Sequence, residues 1–152
     1  MAVQSTYNET MDAARAGMRA NMEPVDLISR TVETAAGVGF GKVVQQGTAD
    51  KGCKSDLTGM TAQTYVGITM RERGVRPETP NAFAQYESAL IMRKGVIWVE
   101  VAVAVTPADI VTVTLASGVI GKTAVGAGVV AIPNARWESS TSGAGLAMLR
   151  LG

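Results

Sequence analysis

Histidine does not occur among the 152 residues of this chain. Its absence removes the imidazole base of a Ser-His-Asp triad, the commonest nitrogen ligand for zinc, and the side chain that changes charge near neutral pH. Cysteine occurs once, at Cys53, so no intrachain disulfide can form and one thiol alone makes a poor zinc site. Activating that thiol needs a base or a cationic setting, and only Lys51 and Lys54 stand close to it in sequence; an unpaired, reduced thiol is the expectation. Aromatic residues make up 5% of the chain, too few for a platform on which bases stack. Charge is also scarce: 14 Lys and Arg against 13 Asp and Glu leave a net charge of +1, which offers no electrostatic footprint for nucleic acid or an anionic membrane. No uninterrupted apolar run reaches membrane length, and MAVQSTYNET has neither a basic leader nor an apolar core. The expectation is therefore a chain without membrane span or secretory signal, and no catalytic residue, cofactor or metal-ligand set is assigned.

The residues that are present are small and apolar. Hydrophobic residues make up 47%, chiefly Ala and Val, alongside 17 glycines. A chain of this length can bury about two-thirds of its unfolded surface, enough for one self-sufficient domain. The first two dozen residues differ from the rest. Tyr7, Met11, Ala14, Met18 and Met22 recur at helical spacing, a pattern that Gly17 and Asn21 weaken and Pro24 ends. This segment reads as an N-terminal arm over residues 1–26, with a short helix as its expected element. Its methionine-lined face suits either packing on its own barrel or docking on a neighbouring subunit, and the sequence favours neither.

From Ile28 the period changes to two. ISRTVETAAGVGFGKVVQQG reads as two strands around a glycine bend, GTADKGCKSDLTGMT as a surface loop, YVGITMRERG as a strand with a charged end, and VRPETPN as an extended linker. In GVIWVEVAVAV, Ile97, Val99, Val101, Val103 and Val105 share one face, and Val96, Trp98, Glu100, Ala102 and Ala104 the other. Two largely apolar faces imply a strand covered on both sides, by a core and by another subunit. Glu100 conflicts with that burial, so it is expected at a rim or beside a cation. Trp98 and Trp137 read as core anchors on two strands. A turn at Thr106–Asp109 leads into IVTVTLASG, and ARWESS and LAMLRLG close the chain. Leu146, Met148 and the stem of Arg150 oppose Ala147, Leu149 and Leu151 there. About seven to nine short strands at near-regular spacing predict a mainly β fold, a small antiparallel β-barrel or sandwich over residues 27–152.

One motif competes with this reading. ASGVIGKT, residues 116–123, satisfies a relaxed phosphate-loop pattern. A phosphate loop needs a helix after it, whose free N–H groups hold the anion. Thr123 instead leads into AVGAGVVAIPNA, with Gly126, Gly128, Pro133 and β-branched residues, so a turn at Ser117-Gly118 between antiparallel strands is predicted.

Several segments taken together carry a family likeness. AGMRANMEP, SRTVETAAGVGFGKVVQQGTADKGC, YVGITMRER, AQYESALIMRKGVIWVEV, AIPNARWESS and GLAMLRLG, in this order, resemble the tailed-bacteriophage structural cement or head-decoration proteins. The part from GVIWVEV onward is also similar to a broader group of phage decoration domains whose corresponding turn has a glycine before the aspartate. Here Ala108 precedes Asp109, which puts the tightness of that turn in question. The resemblance implies a non-enzymatic virion protein that binds the outer capsid surface and clamps adjoining major capsid protein subunits, commonly as a homotrimer, after synthesis in the host cytoplasm. It implies no cofactor, nucleic acid, membrane or small-molecule substrate. Tyr7, Met11, Met18, Met22, Trp98 and Glu100 are the candidate contact residues. A small-ligand or glycan-binding β-barrel is the alternative, and a pair of exposed tryptophans in one groove would favour it.

Overall fold

The computed structural model describes residues 14–72 and 74–152. Among them there is no helix; twelve strands, many of two or three residues, form the fold. They are β1 (Asp26–Val32), β2 (Val38–Gly39), β3 (Val43–Gln46), β4 (Gly52–Lys54), β5 (Tyr65–Thr69), β6 (Ala82–Phe83), β7 (Ser88–Val101), β8 (Thr112–Thr114), β9 (Ile120–Gly121), β10 (Val129–Ala131), β11 (Arg136–Trp137) and β12 (Gly145–Leu151).

β7 is the spine. Its first half pairs with β1 and β5, and β1–β4–β3–β5–β7 closes on itself through the β1–β7 pairing to make a small barrel. Its second half pairs along its length with β12, while β9, β8 and β10 continue the sheet beyond its end. Gly95 joins the halves at φ +128, a conformation that L side chains rarely adopt. The inward parity changes across it. Met92 faces the larger apolar cluster before Gly95, whereas Ile97, Val99 and Val101 face it afterwards. Ala89 and Ile91 belong to a second cluster with Val32, Phe40, Val44, Cys53 and Phe83. Each fully buried aliphatic contributes about 2 kcal/mol, an upper figure because the unfolded chain is itself partly collapsed.

The alternation expected for the last strand holds. Ala147, Leu149 and Leu151 are buried, while Leu146, Met148 and Arg150 are half-buried on the other face. The turn before β8 is tight without its glycine, since Asp109 accepts from the Thr106 N–H at 2.8 Å and donates its own N–H to the Thr106 carbonyl at 3.0 Å.

Three expectations are corrected. The predicted surface loop contains β4, which runs parallel to β1 with Cys53 fully buried; a three-residue strand between turn residues leaves no periodic trace. Val103 is 46% exposed because β7 ends at Val101 and the chain bends away from its alternation. The described part of the expected helix, residues 14–22, is not helical. Gly17 sits at φ +83, and the backbone of residues 17–20 is bonded to β7: Gly17 N–H to the Trp98 carbonyl (2.8 Å), Trp98 N–H to the Met18 carbonyl (2.8 Å) and Ala20 N–H to the Val96 carbonyl (2.9 Å). Tyr7 and Met11 lie outside the described residues.

Candidate interaction surface

The outer face of β7 and β12 carries the most distinctive relief. The register sets Trp98 opposite Met148 and Glu100 opposite Leu146. Two hollows meet at Glu100 and Leu146. One, of about 480 Å³, runs between Lys42, Ala102, Val119 and Ala144. The other, of about 590 Å³, is floored by Trp98 and walled by Ala14, Arg15, Ala16 and Arg71. Together they make a band across the sheet, apolar along its floor and charged at its rim.

Each wall has a local cause. Glu100 resolves its conflict at the rim, as expected: its side chain is 64% exposed and lies 3.6 Å from Lys42 Nζ. Arg71 holds residues 14–17 in place, its N–H donating to the Gly17 carbonyl at 2.8 Å and its Nε to the Ala16 carbonyl at 3.3 Å. Its guanidinium lies 4.7 Å from the centre of the Phe40 ring, a cation–π contact that fixes the side chain. Gly17 and Gly41 allow the segment to approach, because a Cβ on Gly17 would lie 2.8 Å from Arg71 N and 2.9 Å from Phe40 Cβ.

Below the band, charges link the segment to the body. Arg150 donates NH1 and NH2 to the two carboxylate oxygens of Glu23, at 2.7 and 2.8 Å, and Nε to Glu138 at 2.6 Å; Arg136 adds a bond to Glu138 at 2.9 Å. Hydrogen bonds from Arg150 hold the Glu23 and Glu138 carboxyls below their ordinary range. Two planar forks with one shared carboxylate orient Glu23 and the chain before Pro24.

The expected contact residues are partly brought together. Trp98 and Glu100 line the same hollow. Met18 is 41% exposed and Met22 91%, the latter standing clear of the body. Lys42, Arg71, Val119 and Leu146 join the band without having been expected there. Lys42 stands in the GVGFGK segment, where glycine and lysine draw attention to phosphate, and Leu146 gains significance only through its register with Glu100.

Burial, with a smaller contribution from Glu33, pushes the Cys53 thiol up to about 11. Among the described residues no group of three His, Cys, Asp or Glu could hold a metal ion. Gly121 ends β9 and Lys122-Thr123 follow it; β9 pairs antiparallel with β8 across a turn closed by Gly118 N–H to the Thr114 carbonyl at 2.7 Å. Gly118 is at φ +67, so the predicted hairpin turn is present, and another turn, not a helix, comes after it. Lys122 pairs with Asp109 at 3.3 Å. Trp137 is 1% exposed, a core anchor as expected, which removes the exposed tryptophan pair that a glycan groove would need. Trp98 is only half-buried, with its ring on the band.

Over residues 3–152 the chain matches the family described as Structural cement protein (E217 gp24/Pam3 gp6). No curated protein matches it. A chain from a solved structure titled "The capsid of Myoviridae Phage XM1" has the same fold. It superposes with a TM-score of 0.76 at 16% identity, over 100% of this chain and 98% of that one.

Proposed function

This chain belongs to the phage structural cement protein family, and from that premise we propose that it binds the outer surface of the assembled head and bridges adjacent major capsid protein subunits. Membership of the family carries a capsid-stabilising structural role. The bridging geometry is our reading, and the observation that carries it is the band on β7 and β12. A concave apolar floor of Trp98 and Leu146, rimmed by Lys42, Glu100 and Arg71, has the layout of a protein-binding patch: an anchor-accepting centre and a polar margin.

On this reading residues 1–26 are the arm and 27–152 the decoration domain, with Met18 and Met22 among the arm's contacts and Tyr7 and Met11 beyond them. The protein acts as a homotrimer on the virion exterior after synthesis in the host cytoplasm. It works without catalysis. Packaged DNA pushes outward on the shell, and a clamp across a subunit boundary opposes separation by the apolar area that separation would expose. Repetition over many copies lets modest single contacts suffice.

Purified protein is expected to co-sediment saturably with expanded heads and not with unrelated particles. Trp98→Ala and Leu146→Glu should weaken binding at least tenfold while leaving the melting transition cooperative. Absence of saturable binding by the unaltered protein overturns the proposal.

A further inference from the structure

The inward face of the barrel does not stay apolar. Residues two apart on a strand share a face, so Arg30 lies with Ile28 and Val32 on β1, Gln46 with Val44 on β3, and Arg93 with Ala89 and Ile91 on β7. Val32, Val44, Ala89 and Ile91 belong to the second apolar cluster, against which Ile28 also packs. Arg30, Gln46 and Arg93 are the polar members of these inward rows, and all three line one hollow of about 260 Å³.

The hollow holds two guanidinium groups and no carboxylate. None of its lining residues is Asp or Glu, and no ion pair among the described residues includes Arg30 or Arg93. Arg30 is half-buried. Its NH1 donates to the Asp50 carbonyl, whereas its Nε is buried with no hydrogen-bond partner among the described residues. Gln46 Nε2 donates to the adjoining Ala49 carbonyl at 2.8 Å, so the turn at 49–50 fixes this wall. Glu33, three residues beyond Arg30, is committed elsewhere, its carboxylate accepting the Thr48 and Ala49 N–H groups at 2.7 and 2.8 Å. Arg150, the other half-buried arginine whose surroundings are described above, is by contrast met by both Glu23 and Glu138. Two like charges lining one small space repel, and a half-buried guanidinium with unmet donors adds a desolvation cost.

We infer that this hollow is an oxyanion site, in which Arg30 and Arg93 together hold a carboxylate or a phosphate-type group. The donors identify the ligand class. A guanidinium presents parallel N–H groups that match two oxygens on one centre, a geometry that a single chloride ion does not meet. Gln46 and Thr64 border the site, and Ile28 and Val66 give it an apolar side that packs on the second cluster. A free oxyanion from solution and an Asp or Glu side chain of a neighbouring protein offer the same chemistry. The hollow shares no lining residue with the β7–β12 band, and the inference does not rest on the cement reading.

Inorganic phosphate, titrated into the full chain at neutral pH with sodium chloride holding the ionic strength constant, tests it through the melting temperature. The unaltered protein should melt about 3 to 6 °C higher at ten times the dissociation constant, with a saturating dependence. Arg93→Gln, at an exposed side chain, should melt as the unaltered protein does in chloride alone and bind phosphate at least about tenfold more weakly. Arg30→Lys, which keeps the charge but not the fork, should weaken binding likewise. Lys94→Gln, the same loss of charge one residue away, should leave the response in place. A response that does not saturate, or an equal loss in Lys94→Gln, overturns the inference, since either reduces the effect to salt and net charge. Co-sedimentation with heads, run with and without phosphate, separates the two sources. Competition by phosphate together with weaker head binding by Arg93→Gln assigns the site to a carboxylate of the shell. Head binding indifferent to both assigns it to a free anion, and each result supports the inference. Saturable phosphate binding by a protein that binds no heads supports it as well and sinks the cement reading alone.

Discussion

Removing residues 14–22 separates the part of the arm that belongs to the body from the part that does not. Four backbone hydrogen bonds tie this segment down: Gly17 N–H to Trp98, Trp98 N–H to Met18, Ala20 N–H to Val96 and Arg71 N–H to Gly17, at 2.8 to 2.9 Å. At a net value of roughly 1 kcal/mol each, their loss costs about 4 kcal/mol, since the bared edge of β7 is resolvated when the segment leaves. For a chain of this size that corresponds to a fall in melting temperature of about 8 to 16 °C. The measurement compares two truncations, one lacking residues 1–13 and one lacking residues 1–22, by urea unfolding followed through tryptophan emission. The chain has two tryptophans, and Trp98 lies against the removed segment while Trp137 is buried elsewhere, so the native emission of the longer truncation should also shift. A difference below about 1 kcal/mol between the truncations would refute the reasoning, because it would mean that the pairing with β7 contributes nothing net.

Acid should loosen the Glu23–Arg150–Glu138 cluster. Both carboxyls titrate below their ordinary 4.5 in the folded chain, so their stabilisation is fully present above that value and is lost as pH falls through the folded values. The gap in melting temperature between the unaltered protein and Arg150→Gln should accordingly narrow on going from neutral pH to below pH 4, and a gap independent of pH contradicts this. Cys53, with its thiol pushed to about 11, should react with a disulfide reagent at pH 8 at least about a hundredfold more slowly than after unfolding in urea. Equal rates would show the site to be open. Gly95→Ala should cost about 1–3 kcal/mol in chemical unfolding, because the residue sits at φ +128 and the new Cβ would lie 2.6 Å from Val25 Cγ1. A neutral outcome would show that the centre of β7 bends without needing glycine.

Particular residues show how far the sequence reaches. The hairpin at Ser117-Gly118 was legible because a glycine turn and the lack of a helix-forming stretch after Thr123 are both local facts. Glu100 was legible as a rim residue because an acid in an apolar strand has few places to go, but its partner Lys42 lies 58 positions away in the chain and was not. Of the band, Trp98 and Glu100 could be read from their strand alone. Leu146, Arg71 and Val119 could not, since each joins only when its own strand or loop is docked.

By itself, then, the sequence determined the chemistry this protein lacks and the strand-rich class of its fold. Absent side chains cannot be supplied by folding, and the period of two is a property of neighbouring residues. It also carried the family likeness, which resides in the order of several segments. Only the tertiary structure decided that β4 pairs parallel with β1, that the inward face of β7 switches at Gly95, and that residues 17–20 bond to the edge of β7 after a turn at Gly17 instead of forming a helix. Each of these depends on which distant strands share hydrogen bonds and on how a bent sheet closes around two apolar clusters. Backbone register between remote residues is fixed by the sum of many packing contacts, and no local pattern contains that sum.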